Sequence, residues 1–263
     1  MILVTGATGN IGQHVVRGLT ESGQQVRTFS RSAGRYRGDL RDPDALTAAL
    51  DGIDTVFLLW PGPSGDGAEQ AVEVITSSSA RKVVYVSALA AETGFWGVVE
   101  KAIESSDVEW AFLRAGGFAT NTLGWAEMIR TRGEVRWPYG EAARSLIHEK
   151  DIAEVAVRAL LTSDLAGQRP ELTGPANVTQ AEQVRLIGQA IGRELHWVEL
   201  PSGLARQELF EEWGDQDFVD RALAYWATLV GRGEPVTDIV EKVTGRPART
   251  FREWATDHAA DFR

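Results

Sequence analysis

The residues best suited to chemistry stand near the amino terminus, in Thr5-Gly6-Ala7-Thr8-Gly9-Asn10-Ile11-Gly12. Glycines at positions 6, 9 and 12 follow a short apolar run, Ile2–Thr5, and precede an amphipathic stretch over 13–21. Glycine permits a tight turn and lets main-chain amides approach a pyrophosphate, which then sits at the positive end of the following helix. That context predicts dinucleotide binding. The choice of nicotinamide cofactor falls just past the second strand. An acid there binds both ribose hydroxyls, whereas a cation grips a 2′-phosphate. The chain reads Thr28-Phe29-Ser30-Arg31-Ser32, with no acid before Asp39. Arg31 can hold a phosphate through paired hydrogen bonds, with Ser32 or Arg35 beside it, so NADP(H) is expected over NAD(H). The alternative is an arginine solvated at the surface. Thr8, Asn10, Ile11, Leu40, Leu59 and Trp60 are expected to complete the cofactor surface.

Other chemistries find little support. The chain has no cysteine, which excludes disulfides, thiolate nucleophiles and Cys-type zinc sites. His14, His148, His196 and His258 have no metal-ligand spacing, and no metal is expected. No Gly-x-Ser-x-Gly turn prepares acyl transfer. Tyr139, in Trp137-Pro138-Tyr139-Gly140, either reaches a ligand or forms a structural aromatic corner. His148 either donates a proton or simply ends a strand before Glu149-Lys150-Asp151.

The elements that must position these residues alternate at short spacing. Strands are expected over Ile2–Thr5, 26–29, 54–59, 82–87 and 109–113, with helices over 13–21, 44–50, 68–79 and 96–105. Asp42-Pro43 supplies a helix cap followed by a proline in the first turn. The strands are continuous apolar runs, as expected when both sheet faces are covered. Repeated strand–helix units of this length predict an α/β fold, a doubly wound parallel sheet of the Rossmann kind. After residue 115 the rhythm breaks. Asp151-Ile152-Ala153-Glu154 and Thr179-Gln180-Ala181-Glu182 each match a capping box, a strand is expected over 195–200, and Thr250 opens a last short helix. The expected division is a dinucleotide-binding domain over 1–150, with its last strands returning from the later half, and a smaller, mainly helical C-terminal lobe over 151–263.

Gly38-Asp39-Leu40-Arg41-Asp42, Val84-Tyr85-Val86-Ser87, Glu100-Lys101, Leu113-Arg114-Ala115-Gly116-Gly117-Phe118 with Asn121, Lys150-Asp151-Ile152-Ala153 and Leu172-Thr173-Gly174-Pro175 follow the glycine turn in order. Together they resemble the NmrA-like branch of the atypical short-chain dehydrogenase/reductases, which includes azoreductase-like and quinone-reductase-like proteins. The resemblance spans nearly the whole chain. It implies Asp39 near the adenine amino group and Gly116, Gly117 and Phe118 lining the nicotinamide, although Ala115 replaces the usual proline. It places Ser87 at the family's serine position and Lys101 at its lysine position. Ordinary members carry a tyrosine four residues before that lysine as general acid. The residues four before Lys82, Lys101, Lys150 and Lys242 are Ser78, Gly97, Leu146 and Asp238. None is tyrosine. Lys101 then anchors the nicotinamide ribose, donates a proton through water, or is an exposed helix lysine. Ser87 bonds a substrate oxygen or serves packing.

Composition bounds the remaining choices. The 263 residues carry a formal charge of −10, a poor match to nucleic-acid phosphates. No apolar run is long enough for a membrane span, and no basic leader precedes the first strand, so a cytoplasmic protein is expected, as monomer or homodimer. Eight of the nine tryptophans lie after residue 95, where they pack a core or line an aromatic pocket. The resulting expectation is an NADPH-dependent oxidoreductase acting on a small-molecule carbonyl, quinone or enone, with aromatic and polyketide-like compounds among the candidates. The alternatives are a non-catalytic NADP(H) sensor and a redox-neutral epimerase or cyclase.

Overall fold

The computed structural model describes residues 1–61, 64–89 and 91–263. In chain order its elements begin with β1 (Ile2–Thr5), α1 (Gly12–Glu21), β2 (Val26–Ser30), β3 (Tyr36–Arg37), α2 (Pro43–Leu50), β4 (Thr55–Leu58), α3 (Ala68–Thr76), β5 (Lys82–Ala88), α4 (Phe95–Glu104) and β6 (Glu109–Ala115). They continue with α5 (Ala126–Arg132), β7 (Glu134–Trp137), β8 (Ala143–Arg144), α6 (Glu149–Leu161), β9 (Glu171–Leu172), β10 (Val178–Thr179), α7 (Gln180–Ile191) and β11 (His196–Glu199). The helices α8 (Ser202–Trp213), α9 (Gln216–Leu229), α10 (Ile239–Thr244) and α11 (Phe251–Asp257) end the chain.

Two units share these elements. The first comprises Met1–Gly116, Glu149–Leu172 and Asp238–Pro247; the second comprises Gly117–His148, Thr173–Thr237 and Ala248–Arg263. No single cut near residue 150 separates them. Residues 117–148 group with the second unit because β7 pairs with β11 and β8 with β10.

The first unit is built on a seven-stranded sheet ordered β3-β2-β1-β4-β5-β6-β9, parallel throughout. This is the expected doubly wound sheet. Leu3, Val56, Leu58, Val83, Tyr85 and Phe112 share one core with residues of α2, α3 and α4. The other face is covered by α1 and α6, which pack on each other, with α10 against α6. Burial on both faces accounts for strands without polar alternation. The Asp42 cap forms as read: its Oδ1 accepts from the Asp44 and Ala45 amides at 3.1 and 3.2 Å. Helix α6 starts two residues before Asp151, so that Glu149 and Asp151 both lie in its first turn, where the helix dipole favours acids.

In the second unit β11 runs parallel to β7 and β10 antiparallel to β8, so it is helical with two small sheets rather than purely helical. Thr179 caps α7 by accepting from the Glu182 amide at 3.1 Å, and Thr250 and Glu253 form a complete capping box on α11. The tryptophans of this unit divide between its two cores, while Trp60, Trp96 and Trp110 pack in the core of the first. Trp125 and Trp254 are buried with α7 and α11, while Trp213 and Trp226 pack on Leu200, Leu209, Val219 and Leu223. Trp137 borders both.

Candidate active site

The turn after β1 separates glycines that the fold needs from one that it does not. Gly6 adopts φ +60°, a conformation costly for any other residue. A Cβ on Gly12 would collide with the Gly6 carbonyl. A Cβ on Gly9 meets only the Gly6 oxygen, at 3.2 Å. Of the three glycines, Gly9 is the one the protein itself constrains least. Helix α1 begins there without a side-chain cap; the Gln13 and His14 amides donate to the Gly9 and Ile11 carbonyls at 3.2 and 3.0 Å, and the helix N-terminus still presents its positive end to an anion. Leu59 lies across the turn, its Cδ2 3.5 Å from where a Gly6 Cβ would stand. Its amide donates to Thr5 Oγ1 at 2.9 Å. Asn10 and Ile11 complete the turn, Ile11 buried beneath it and Asn10 exposed.

Beyond β2, the Ser32 and Thr8 hydroxyls stand 3.2 Å apart, which joins the Arg31-Ser32 segment to the glycine turn. Arg31 is exposed and has no ion-pair partner among the described residues. Arg35 instead lies over the Tyr36 ring. Asp39 accepts from the Arg41 amide at 2.9 Å, beside buried Leu40. Arg41 also reaches over the Trp60 ring and donates to the Pro61 and Asp66 carbonyls. The turn, Arg31, Asp39 and Leu59-Trp60 thus border the carboxyl ends of β1, β2 and β4, where open α/β sheets bind ligands. These residues fit a dinucleotide with a 2′-phosphate.

A second group occupies the ends of β5 and β6. Ser87 and Arg114 are opposite one another in the ladder. Ser87 is buried and its hydroxyl donates to Glu100 Oε1 at 2.6 Å. Arg114 holds the same carboxylate from two nitrogens, Nε to Oε1 at 3.0 Å and Nη2 to Oε2 at 2.7 Å. Its Nη1 donates to Glu92 at 2.5 Å. Arg169 approaches Glu100 at 3.6 Å, pairs with Glu104 at 2.7 Å and stacks over Trp110. Hydrogen bonding to Glu100 raises the affinity of Arg114 for its proton further. Tyr85 lies two residue pairs away with its hydroxyl buried and unpartnered among the described residues. Burial, then the Glu100 charge, pushes its ionisation well above the usual phenol range.

Lys101 follows Glu100 on α4, is exposed and has no ion pair to any described residue. The missing tyrosine has a steric cause. A Cβ at Gly97 would stand 2.5 Å from the Ala91 carbonyl oxygen, so α4 packs too closely there for any side chain. Ser87 keeps its position at the strand end, but its proton is held by Glu100. That leaves only its lone pairs for a ligand.

Gly116 ends β6, its amide donating to the Leu172 carbonyl at 2.8 Å. Gly117 and Phe118 belong to the second unit, where Phe118 pairs with Ile147. Tyr139 also belongs to the second unit, whereas Ser87 and Lys101 belong to the first. At φ +60° it is the one non-glycine with positive φ among the described residues. Glu199 holds it there, accepting from the Tyr139 amide at 2.6 Å and the Gly140 amide at 2.8 Å. Its ring packs on the α8–α9 core, which makes it an aromatic corner. His148 is buried, 3.2 Å from Asp257.

Glu100, Arg114 and Arg169 were not apparent as a site in the sequence. The available signal was an arginine in the apolar run Phe112-Leu113-Arg114-Ala115 and an acid on the apolar face of α4.

Residues 6–163 match a family model described as NAD(P)H-binding. The chain is 35% identical to the NAD(P)H azoreductase of Xenophilus azovorans, covering 100% of this chain and 99% of that protein. It is 33% identical to the (4-alkanoyl-5-oxo-2,5-dihydrofuran-3-yl)methyl phosphate reductase of Streptomyces griseus, with coverage of 100% and 99%. Its fold is similar to that of the NADPH-dependent quinone oxidoreductase of Escherichia coli complexed with NADPH, with a TM-score of 0.80 over 98% of this chain and 99% of that one at 20% identity. No helix among the described residues is long and apolar enough to cross a membrane. With a family model matching residues 6–163, more than half its length, and full-length relatives above 30% identity, the chain belongs to the NAD(P)H-binding family.

Proposed function

We propose that the protein is an NADPH-dependent reductase of quinones, enones or similarly electron-poor small molecules. The observation that carries this reading is the pairing of a partner-free Arg31 beside an open glycine turn with a Gly97 that cannot be tyrosine. The first selects the phosphorylated cofactor; the second selects the substrate. When bound, NADPH supplies the hydride. In this reading the amides at the start of α1 bind the pyrophosphate, Arg31 with Ser32 binds the 2′-phosphate, Asp39 approaches the adenine, and Gly116, Gly117 and Phe118 line the nicotinamide. Lys101 holds the ribose hydroxyls and stands as a donor toward the oxygen that gains charge. Ser87 accepts from a ligand N–H or O–H, since its own proton is held by Glu100.

A site without a strong general acid suits acceptors that carry their new charge on a delocalised oxygen or nitrogen and take a proton from water afterwards. Quinones, enones and azo compounds are of that kind; isolated ketones are not. The names of the two relatives above, an azoreductase and a reductase of an unsaturated lactone, support the same class. The formal charge of −10 supports a protein without nucleic-acid partners. The test is to follow NADPH absorbance with a panel of quinones, enones, azo dyes and simple ketones. Turnover of the first three and not the ketones is expected. Tight NADPH binding without turnover of any would favour a redox sensor instead.

A further inference from the structure

Arg41, in the first unit, has spent its hydrogen bonds and kept a flat side open. Each of its side-chain nitrogens finds an acceptor: Nε donates to the Asp66 carbonyl at 3.2 Å, Nη2 to the Pro61 carbonyl at 3.3 Å and Nη1 to Asp39 Oδ2 at 3.4 Å. Asp39 follows β3, whereas Pro61 and Asp66 lie between β4 and α3, so the side chain spans the gap between two segments. Its stem is held as well. Gly67 packs on it, a Cβ there coming within 3.3 Å of Arg41 Cγ, and the Arg41 amide donates to Asp39 Oδ1 at 2.9 Å. The guanidinium carbon lies over the Trp60 ring, 5.7 Å from its centre. Trp60 is itself fixed, its Nε1 donating to the Ser64 carbonyl at 2.8 Å.

Guanidinium N–H groups point along the plane of the group. With acceptors taking three directions in that plane, Trp60 covers one flat side and the other is left open, the side chain being 39% exposed. Arg31 has no ion-pair partner among the described residues and can grip a phosphate by its edge. Arg41 has each nitrogen committed to the protein, so what it can offer a ligand is its face. A fixed guanidinium face suits a flat aromatic ring. Which ring follows from Arg31. The 2′-phosphate belongs to the adenosine half of the dinucleotide, so an arginine that holds it after β2 puts the adenine on this side of the glycine turn. Asp39, Leu40 and Trp60 border the same place.

We propose that the open face of Arg41 stacks on the adenine ring of the bound cofactor, with Trp60 backing the guanidinium from the other side. The proposal rests on the cofactor part of the reading above. Asp39 meets the edge of the ring and Arg41 its face. Arg41 is then a determinant of affinity for the base, which NADPH and NADH share, whereas Arg31 decides between the two.

The test is calorimetric titration of two ligands into the parent protein, Arg41→Met and Arg41→Lys. One is 2′,5′-ADP, which carries the adenine and the 2′-phosphate but no nicotinamide; the other is NADPH. Methionine keeps a stem without the flat cation, and lysine keeps the charge without the face. Arg41→Met should bind 2′,5′-ADP about 5- to 30-fold more weakly, the range for a cation over an aromatic ring, and NADPH more weakly by the same factor. Arg41→Lys should recover only part of that loss. Unchanged affinity in Arg41→Met overturns the proposal. Full recovery in Arg41→Lys also overturns it, because the charge alone would then suffice. A loss much larger for NADPH than for 2′,5′-ADP overturns it too, since Arg41 would then be a tether whose removal disturbs the whole cofactor site. Thermal unfolding checks that Arg41→Met folds; if it does not, Arg41→Lys decides, weaker binding supporting the stack and parent affinity overturning it. A parent protein that binds neither ligand removes the cofactor reading and this proposal together, whereas binding without turnover bears on the reductase reading alone.

Discussion

The glycine turn and the Glu100 cluster both lie at carboxyl ends of strands in one sheet, and they are built in opposite ways. Around the turn few of the groups suited to a ligand have an internal partner: a Cβ on Gly9 would meet only the Gly6 oxygen, α1 has no side-chain cap and Arg31 forms no ion pair with a described residue. In the cluster every charged group is satisfied from within, Ser87 and Arg114 by Glu100 and Arg169 by Glu104 and Trp110. The difference separates ligand binding from scaffolding. Residue types that look chemical are available to a ligand only where the fold leaves them unmatched. By that criterion Arg31 and Lys101 are the groups we propose as functional, while the Ser87 hydroxyl is committed to Glu100.

The contrast is broken most severely at Gly9. Gly9→Val should abolish NADPH binding while circular dichroism and the thermal midpoint stay those of the parent, because the side chain would take the cofactor's space and not the protein's. Normal NADPH affinity in the folded variant would remove the phosphates from this turn.

Glu100→Ala should do the reverse. It leaves two arginines around a buried gap, and loss of one partner of a buried pair costs about 3–5 kcal/mol. Urea unfolding should register that loss; a change under about 1 kcal/mol would mean that the cluster is solvated.

Lys101 tests whether an unmatched cation is functional. Lys101→Ala should lower kcat/KM on a true substrate by roughly 10²–10³, the loss typical of one donor to a developing charge. Lys101→Arg should restore part of it, since the charge remains but the reach differs. Unchanged turnover and cofactor affinity in Lys101→Ala would make it a surface lysine.

The smallest effect belongs to Tyr85. Its hydroxyl is buried without a partner among the described residues, so Tyr85→Phe should leave stability equal or raise it by about 1 kcal/mol. A loss of more than that would show that the hydroxyl is bonded.

Sequence and structure agree most closely where the determinants are local. The glycine turn, the Asp42 cap and the apolar strands are each written within a few consecutive residues, and the parallel sheet follows from their alternation. The cluster was not legible, because Ser87, Glu100 and Arg114 meet only through the β5–β6 register and the packing of α4. The Arg144–Glu234 ion pair joins residues ninety positions apart, with nothing in either neighbourhood to pair them. The assignment of 117–148 to the second unit was hidden for the same reason, since β7 and β8 find their partners after residue 177. The Gly97 departure was visible as a missing tyrosine, but its cause, the Ala91 carbonyl beneath it, was not.

The central claim is that Arg31 remains unmatched within the protein because the 2′-phosphate of NADPH completes it. Calorimetry of NADPH and NADH binding to the parent protein and to Arg31→Ala tests this directly. One charge-assisted phosphate contact is worth about 1.5–3 kcal/mol, so NADPH should bind at least about tenfold more tightly than NADH. Arg31→Ala should erase most of that preference and leave NADH affinity as it was. Equal affinities for the two cofactors in the parent protein would contradict the account.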